Sequence, residues 1–327
     1  MTSNGFRSSK NADAASPPGP AMSACARLRA MLAQPDHIVT AVGVYDGISA
    51  RLALNEGFKC LYMTGAGTAA SVLGMPDLGI TNMTDMATNA AMIAGLDPTV
   101  PVIADADTGF GESLAVARTV RAYMAAGVAA MHLEDQPLNK RCGHLGSKEL
   151  VDEDVYLRRL RAAAATRDAL RAQTGQDIVL IARTDSLQKL GYEAAIERLR
   201  RAQAAGAEVA FLEGIVTRTQ LESVCRDLQD TGMPVLLNMV SGGVTPEASV
   251  DEARALGFRI IIFPSAVLSV VMEAAQAQLR HLRETGRQRI PASRQHQGVK
   301  ALFQAMGMDE CLAFDKMVGG QSYSEGV

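Results

Sequence analysis

Acidic residues gather at the ends of short apolar runs in this 327-residue chain. Asp105 and Asp107 close the run Val102–Asp107, and Glu134 and Asp135 close Ala129–Asp135. Asp185 follows Arg183 at the end of Ile178–Asp185, Glu213 ends Glu208–Gly214, and Asp46 follows Ile38–Val44. Brought to one place, the carboxylates of Asp46, Asp105, Asp107, Glu134, Asp185 and Glu213 would repel one another and raise each other's pKa unless positive charge stood among them. Arg183 supplies part of that charge. A hard divalent ion with oxygen ligands, most simply Mg²⁺ keeping several waters, would supply the rest. A lone D-x-D at a strand end is often only a cap or a solvated pair; acids at the ends of several strands at once point to a site.

A second cluster is Lys140-Arg141-Cys142-Gly143-His144, in a polar stretch that runs on to Lys148. A thiol flanked by Lys, Arg and His is expected to titrate low enough to act as an acid–base near neutral pH. Cys25, Cys60, Cys225 and Cys311 have no such neighbours and read as structural. His132, inside an apolar run, reads as a packed residue.

These groups need elements to position them. Eight β-branched apolar runs predict strands: Ile38–Val44, Cys60–Gly65, Val102–Asp107, Ala129–Asp135, Ile178–Asp185, Glu208–Gly214, Pro234–Val240 and Phe258–Pro264. Between them, Leu114–Ala126, Asp152–Gln173, Gly191–Ala205, Thr217–Thr231 and Ser249–Leu256 carry apolar and charged faces at helical spacing. Eight strands alternating with helices mean βαβ units and parallel pairing. No G-x-G-x-x-G follows the first strand, which argues against an open doubly wound sheet. The expected fold is a single (β/α)8 TIM barrel over residues 25–284, whose strand C-termini form the active site. Residues 1–24 read as a disordered tail, with a transit peptide as the alternative. Residues 285–327 read as a helical extension: Val267–Glu284 is followed by the basic linker Arg287–Arg294, a helix Gln297–Met306 and a Gly-rich end.

Composition narrows the function. A net charge of −3 and 4% aromatic residues give no footprint for nucleic acid or an anionic membrane. No apolar run is long enough to span a bilayer. Five scattered cysteines form neither a CxxC pair nor a disulfide framework, so a reducing compartment, most simply the cytoplasm, is expected, with mitochondrion or peroxisome left open.

The motifs also resemble those of a known family. Asp105-Ala106-Asp107-Thr108-Gly109-Phe110-Gly111, Leu133-Glu134-Asp135-Gln136 and Lys140-Arg141-Cys142-Gly143-His144 look like the isocitrate lyase/phosphoenolpyruvate mutase superfamily. Thr64-Gly65 with Gly74-Met75-Pro76-Asp77, Ala182-Arg183-Thr184-Asp185 and Phe211-Leu212-Glu213-Gly214 agree, in family order, over about Ala41 to Leu268. The chain is most similar to the short branch: methylisocitrate lyase, dimethylmalate lyase and oxaloacetate hydrolase. The resemblance implies Mg²⁺, with Mn²⁺ as a substitute, held by Asp105 and Asp107 with Glu134 in its shell. It implies that Thr64 and the Gly65 and Ala66 amides bind a carboxylate or oxyanion, that Arg183 clamps a carboxylate, and that Asn238 contacts the substrate's other end. Tyr62, Lys140, Arg141, Gly143 and Glu213 join the expected substrate contacts, and Asp46 and His144 join Glu134 and Arg183 as expected catalytic groups. Cys142 would protonate the departing carbanion from a loop that closes over the substrate. A homotetramer that swaps its last helices is implied as well.

One departure stands out. Many short members read N-x-x-E-x-G after the seventh strand, whereas this chain has Asn238-Met239-Val240-Ser241-Gly242-Gly243, with Ser241 in place of Glu. The expected reaction is cleavage of the C2–C3 bond of a small oxo- or hydroxy-dicarboxylate. Oxaloacetate hydrolysis to oxalate and acetate comes first, because Ser265 beyond the eighth strand could hydrogen-bond a hydrated ketone. A 2,3-dimethylmalate or 2-methylisocitrate lyase is the alternative. A catalytically inactive barrel serving as scaffold or sensor is the third.

Overall fold

Short apolar strands buried on both faces need every backbone group paired, and closing the sheet on itself removes the unpaired edges. In the computed structural model, which describes residues 22–143, 146, 148–290 and 298–323, the sheet is closed. Its strands are β1 (Val39–Val44), β2 (Leu61–Met63), β3 (Val102–Asp105), β4 (Ala130–Glu134), β5 (Val179–Thr184), β6 (Val209–Leu212), β7 (Val235–Asn238) and β8 (Ile260–Phe263). All pair in parallel in chain order, and β8 returns to β1 with Val39 opposite Ile260. The expected (β/α)8 barrel is the observed architecture. Each strand is a little shorter than its apolar run, because the residues at the run's end leave the ladder to build the loops.

Side-chain alternation sorts every strand into an inner and an outer set. Ile103, Val179, Ile181, Val209, Phe211, Leu236, Ile260 and Ile262 pack together inside the barrel, while Leu180, Ala182, Ala210, Leu237 and Ile261 pack against the helices. Continuing the inner parity one step toward the strand C-termini reaches Thr64, Asp105, Glu134, Arg183, Glu213 and Asn238. The barrel core and the polar mouth are thus one stack of side chains. Beneath it, the helix Ala24–Ala33, capped by Ser23, closes the other end with buried Leu28 and Cys25. Arg29 ties that helix to Asp177 (2.9 Å) and Glu208 (2.6 Å).

Gly43 faces inward where the chain leaving β8 crosses β1, and a Cβ there would overlap the Pro264 backbone. Gly43→Ala is therefore expected to destabilise the barrel by about 1–3 kcal/mol. The check is the urea midpoint at unchanged slope; an unshifted midpoint would show that Pro264 yields freely.

The predicted helices follow their expected spans with two differences, and Gly47–Asn55 and Met83–Leu96 are helices that were not predicted. Thr217–Thr231 divides into Arg218–Asp227 and a 3₁₀ turn, Gln229–Thr231. The Gly-rich end contains a further helix, Met308–Met317, with Asp309 and Glu310 in its first turn and Lys316 in its last, an order that suits the helix dipole. It and the helix Gly298–Ala305 contact the helix Gly47–Asn55 of the same chain through Arg51–Glu310 (3.1 Å) and Asn55 Nδ2 to the Ala305 carbonyl (2.9 Å). The expected tail over residues 1–24 lies outside the described residues up to residue 21, and its last residue, Ala24, begins a helix. Among the described residues no helix is long and apolar enough to cross a membrane.

Candidate active site

The turn Asp105–Gly111 is wound so that two carboxylates point back to the barrel axis. Asp107 (φ 46°) and Phe110 (φ 60°) adopt left-handed backbone, which Asp tolerates better than most residues. The Asp107 amide donates to Asp105 Oδ1 (2.9 Å), and from outside the barrel Tyr123 Oη donates to the Asp105 carbonyl (2.7 Å). Across the mouth, Gly65 stands so close that a Cβ would lie 2.5 Å from Asp105 Oδ2. Its amide donates to that oxygen instead (3.2 Å). The Gly65 amide, an expected substrate contact, is therefore directed at Asp105 in this arrangement.

Burial dominates the acids. Glu134 is fully buried, and that burial pushes its carboxyl well above the usual range; Asp185 and Asp107 add to the effect, while Arg183 and Lys140 oppose it. Among the described residues neither Glu134 oxygen receives a hydrogen bond, and Arg183 Nε faces one of them at 3.2 Å. Burial likewise raises Asp107 to about 6 against the pull of Lys140. Asp105 runs the other way: burial would raise it, but His132, Lys140 and Arg183 hold it below its ordinary value. His132 is itself lowered to about 4 by burial, so at neutral pH the two permanent cations do this work. Its Nε2 meets Tyr62 Oη at 2.8 Å and its ring stacks on Tyr62, the packed role expected of it.

Positive charge comes from more residues than the sequence suggested. Lys140, buried, contacts Asp77 at 2.5 Å and Asp107 at 2.6 Å. Its charge is paired with these two aspartates. Arg183 forms a two-pronged pair with Asp185 (3.0 and 3.2 Å). Burial alone would raise Asp185, but Arg183 and Lys148 pull it down to about 2.

Tyr62, Thr64, Ala66, Asp105, Cys142, Gly143, Arg183, Glu213, Asn238 and Ser265 line a single cavity of about 90 Å³. Gly143 fits there because it has no side chain; a Cβ would overlap the Arg183 guanidinium and lie 2.6 Å from Glu213 Cγ. Asn238 Nδ2 donates to Glu213 (3.1 Å), orienting the amide. Thr64 caps the short helix Gly65–Thr68 by accepting from the Gly67 amide (3.3 Å).

Other expected site residues lie elsewhere. Asp46 is a helix N-cap, accepting from the Ser49 amide and hydroxyl at 2.7 Å, and it borders an adjoining hollow with Met75 and Leu268. Arg141 is exposed, and its backbone exchanges two hydrogen bonds with the Gln136 side chain. Asp135 points outward to Arg198 (2.9 Å) and Thr184 Oγ1 (2.5 Å), because it has the opposite parity to Glu134. His144 lies outside the described residues. The sequence reading gave no role to Asp77 or Lys148, although both stand in stretches it singled out.

The donor chemistry suits a hard cation, since Asp105, Asp107 and Glu134 offer only oxygens and no described residue donates a hydrogen bond to Glu134. Among the described residues no three His, Cys, Asp or Glu already stand in ligand geometry. Lys140 holds the cationic place beside Asp107.

The phosphoenolpyruvate phosphomutase family model matches residues 28–283. The chain belongs to that family. A 2-methylisocitrate lyase of Aeropyrum pernix is 39% identical over 263 residues, 80% of each chain. A crystal structure of 2,3-dimethylmalate lyase, a PEP mutase/isocitrate lyase superfamily member, is 50% identical with a TM-score of 0.88, covering 94% of this chain and 99% of that one. Oxaloacetate acetylhydrolase in complex with the inhibitor 3,3-difluorooxalacetate is 48% identical, with a TM-score of 0.87 over 92% of this chain and 99% of that one. Phosphonopyruvate hydrolase in complex with oxalate and Mg²⁺ is more distant, 25% identical with a TM-score of 0.77 over 90% of this chain and 99% of that one. The chain is accordingly an enzyme of the PEP mutase/isocitrate lyase superfamily.

Proposed function

We propose that this enzyme cleaves the C2–C3 bond of a small dicarboxylate with the help of Mg²⁺, and that its first substrate is hydrated oxaloacetate, giving oxalate and acetate. The observation that carries this reading is the Ser265 hydroxyl. It borders the small cavity, its oxygen is buried, and among the described residues no hydrogen-bond partner meets it. A cavity of about 90 Å³ suits a short diacid. A ketone hydrate brings one more hydroxyl than a 2-hydroxy acid, and Ser265 is placed to pair with it. The oxaloacetate acetylhydrolase and the Mg²⁺–oxalate complex among its relatives support the same choice.

Asp105, Asp107 and Glu134 would hold the Mg²⁺, which when bound would stabilise negative charge developing on substrate oxygens. Arg183 binds a carboxylate and Asn238 the far end of the diacid. Transfer of a proton from the hydrate hydroxyl to a carboxylate of the cavity wall, Glu213, lets the C2–C3 bond break, with its electron pair passing to C3 and the adjacent carboxylate. Cys142 then gives its proton to C3. Carbon C2 leaves as the new carboxyl group of oxalate, and C3 becomes the methyl group of acetate.

A second reading, a lyase for 2,3-dimethylmalate or 2-methylisocitrate, is favoured by a neighbouring cavity of about 360 Å³ that shares Val240 and Ser265 with the first and is bordered by Ser241 and Gly243. A branched diacid could extend into it. Ser265→Ala separates the two. Oxaloacetate hydrolysis is expected to fall about tenfold or more, the worth of a hydrogen bond of about 1.5 kcal/mol, while cleavage of any 2-hydroxy diacid changes little. Equal losses on both substrates would return Ser265 to a packing role. Exposed Val270, Val271, Met272 and Leu279 on the helix Ala266–Thr285 support self-association through this helix, and sedimentation would test the homotetramer that the family resemblance implies.

A further inference from the structure

Lys148 lies five residues beyond Gly143 and is buried, an uncommon place for a lysine unless its charge is matched. Its ammonium makes two contacts that join different parts of the fold. It donates to Asp185 Oδ1 at 2.9 Å, at the end of β5, and to the carbonyl of Gly143, the residue after Cys142, at 2.7 Å. Asp185 is a rigid anchor. It is fully buried, it grips Arg183 through two bonds, and its own amide donates to Asp135 Oδ1 at 2.8 Å. Asp135 is in turn fixed by Arg198 at 2.9 Å, and the Val151 amide donates to the Asp135 carbonyl at 2.9 Å. Gly143 itself is pressed against Arg183 and Glu213 so tightly that no Cβ would fit.

We infer that Lys148 is a positioning residue that clasps the Cys142 segment to β5, fixing the thiol at the cavity wall relative to Arg183. It touches neither substrate nor the reacting atoms; it acts through the Gly143 peptide. A bond from a charged donor to a buried carbonyl is worth more than a neutral one, and here the same ammonium also pairs with Asp185. Removing it frees the Gly143 carbonyl while leaving Arg183 to keep Asp185 paired. The loss therefore falls on the placement of the cysteine segment and not on the barrel. This inference rests on the reading of Cys142 as the proton donor, so its test includes a measurement that needs no turnover.

The test uses the full-length enzyme and its Lys148→Met and Lys148→Gln variants, with Lys148→Arg as the conservative rescue. Iodoacetamide labelling of each cysteine is followed by mass spectrometry, with and without oxalate and Mg²⁺. In Met and Gln variants the labelling rate of Cys142 should change several-fold, oxalate protection should shrink, and buried Cys60 should stay unlabelled. With oxaloacetate, kcat should fall about 10–100-fold with little change in KM, and Lys148→Arg should recover most of it. Parent-like labelling and protection of Cys142 in both variants would overturn the clasp, whatever the activity. So would parallel labelling of Cys60, which would show general loosening. Altered Cys142 labelling with unchanged kcat would leave the clasp standing and sink the proton-donor reading instead.

Discussion

Stripping divalent metal from the enzyme should abolish oxaloacetate cleavage, and adding Mg²⁺ should restore it. The expectation follows from the charge balance of the barrel mouth. Asp105, Asp107, Glu134 and Glu213 are all buried, and the cations among them are already engaged: Lys140 with Asp77 and Asp107, and Arg183 with Asp185 and Glu134. A dianionic substrate entering this cavity adds two negative charges where burial already drives Glu134 toward its protonated form. Without a further cation, substrate binding and charge development in the transition state are both disfavoured. Metal stabilisation of several kcal/mol corresponds to a rate loss on the order of 10³-fold on chelation. Mn²⁺ should restore activity in part, and Ca²⁺, which prefers longer and more numerous bonds, less. Asp107→Asn should weaken Mg²⁺ binding measured calorimetrically in the absence of substrate. Full activity in excess EDTA, with metal content verified below the enzyme concentration, would end the electrostatic argument.

The acid cluster at the barrel mouth was partly readable in the sequence, and the reason is geometric. A parallel barrel obliges the last inward residue of each strand to face the mouth, so the apolar runs needed only correct parity to nominate Asp105, Glu134, Arg183, Glu213 and Asn238. Parity also explains a residue that a simple list of strand ends misplaces. Asp135 is one step from Glu134 and therefore points outward, to Arg198 and Thr184. Loop residues have no such rule. Asp46 follows β1 closely, yet it is engaged by Ser49 as a helix cap, a local competitor that side-chain spacing alone does not rank. Lys140 adjoins the cysteine segment in sequence but turns to Asp77, which arrives from the loop after β2. Lys148 finds Asp185 from the next strand. Which acid claims which base is decided by the packing of separate loops, and nothing in local spacing encodes it. The helix Ala24–Ala33 escaped the strand-based reading because it precedes the first βα unit. Its role as a plug is visible only once Leu28 is seen beneath the inner layer.

Replacing Cys142 by Ser should cost about 10²–10⁴ in kcat, the usual worth of a positioned proton donor, while leaving fold and metal binding intact. The thiol is half-buried, borders the same small cavity as Arg183, Asp105 and Asn238, and is followed by a glycine that lets the segment lie against Glu213. Serine preserves the size and hydrogen-bonding capacity of the side chain, so a large loss would reflect its weaker acidity and not a cavity. Alkylation offers an independent reading on the unmodified enzyme. Burial raises the thiols of Cys60 and Cys225 to about 12, which leaves almost none of either as the reactive thiolate near neutral pH. Iodoacetamide will also reach exposed Cys311, away from the cavity, but inactivation should follow modification of Cys142, and oxalate with Mg²⁺ should protect by filling the cavity. Cys60→Ser and Cys225→Ser should retain the parent kcat and the parent inactivation rate. Two outcomes separate the proton donor from the rest of the mechanism. If Cys142→Ser releases oxalate in a single turnover at the parent rate but yields acetate slowly, bond cleavage precedes and survives the loss of the donor. If it turns over at the parent rate throughout, the carbanion takes its proton from another source and Cys142 is a wall of the cavity.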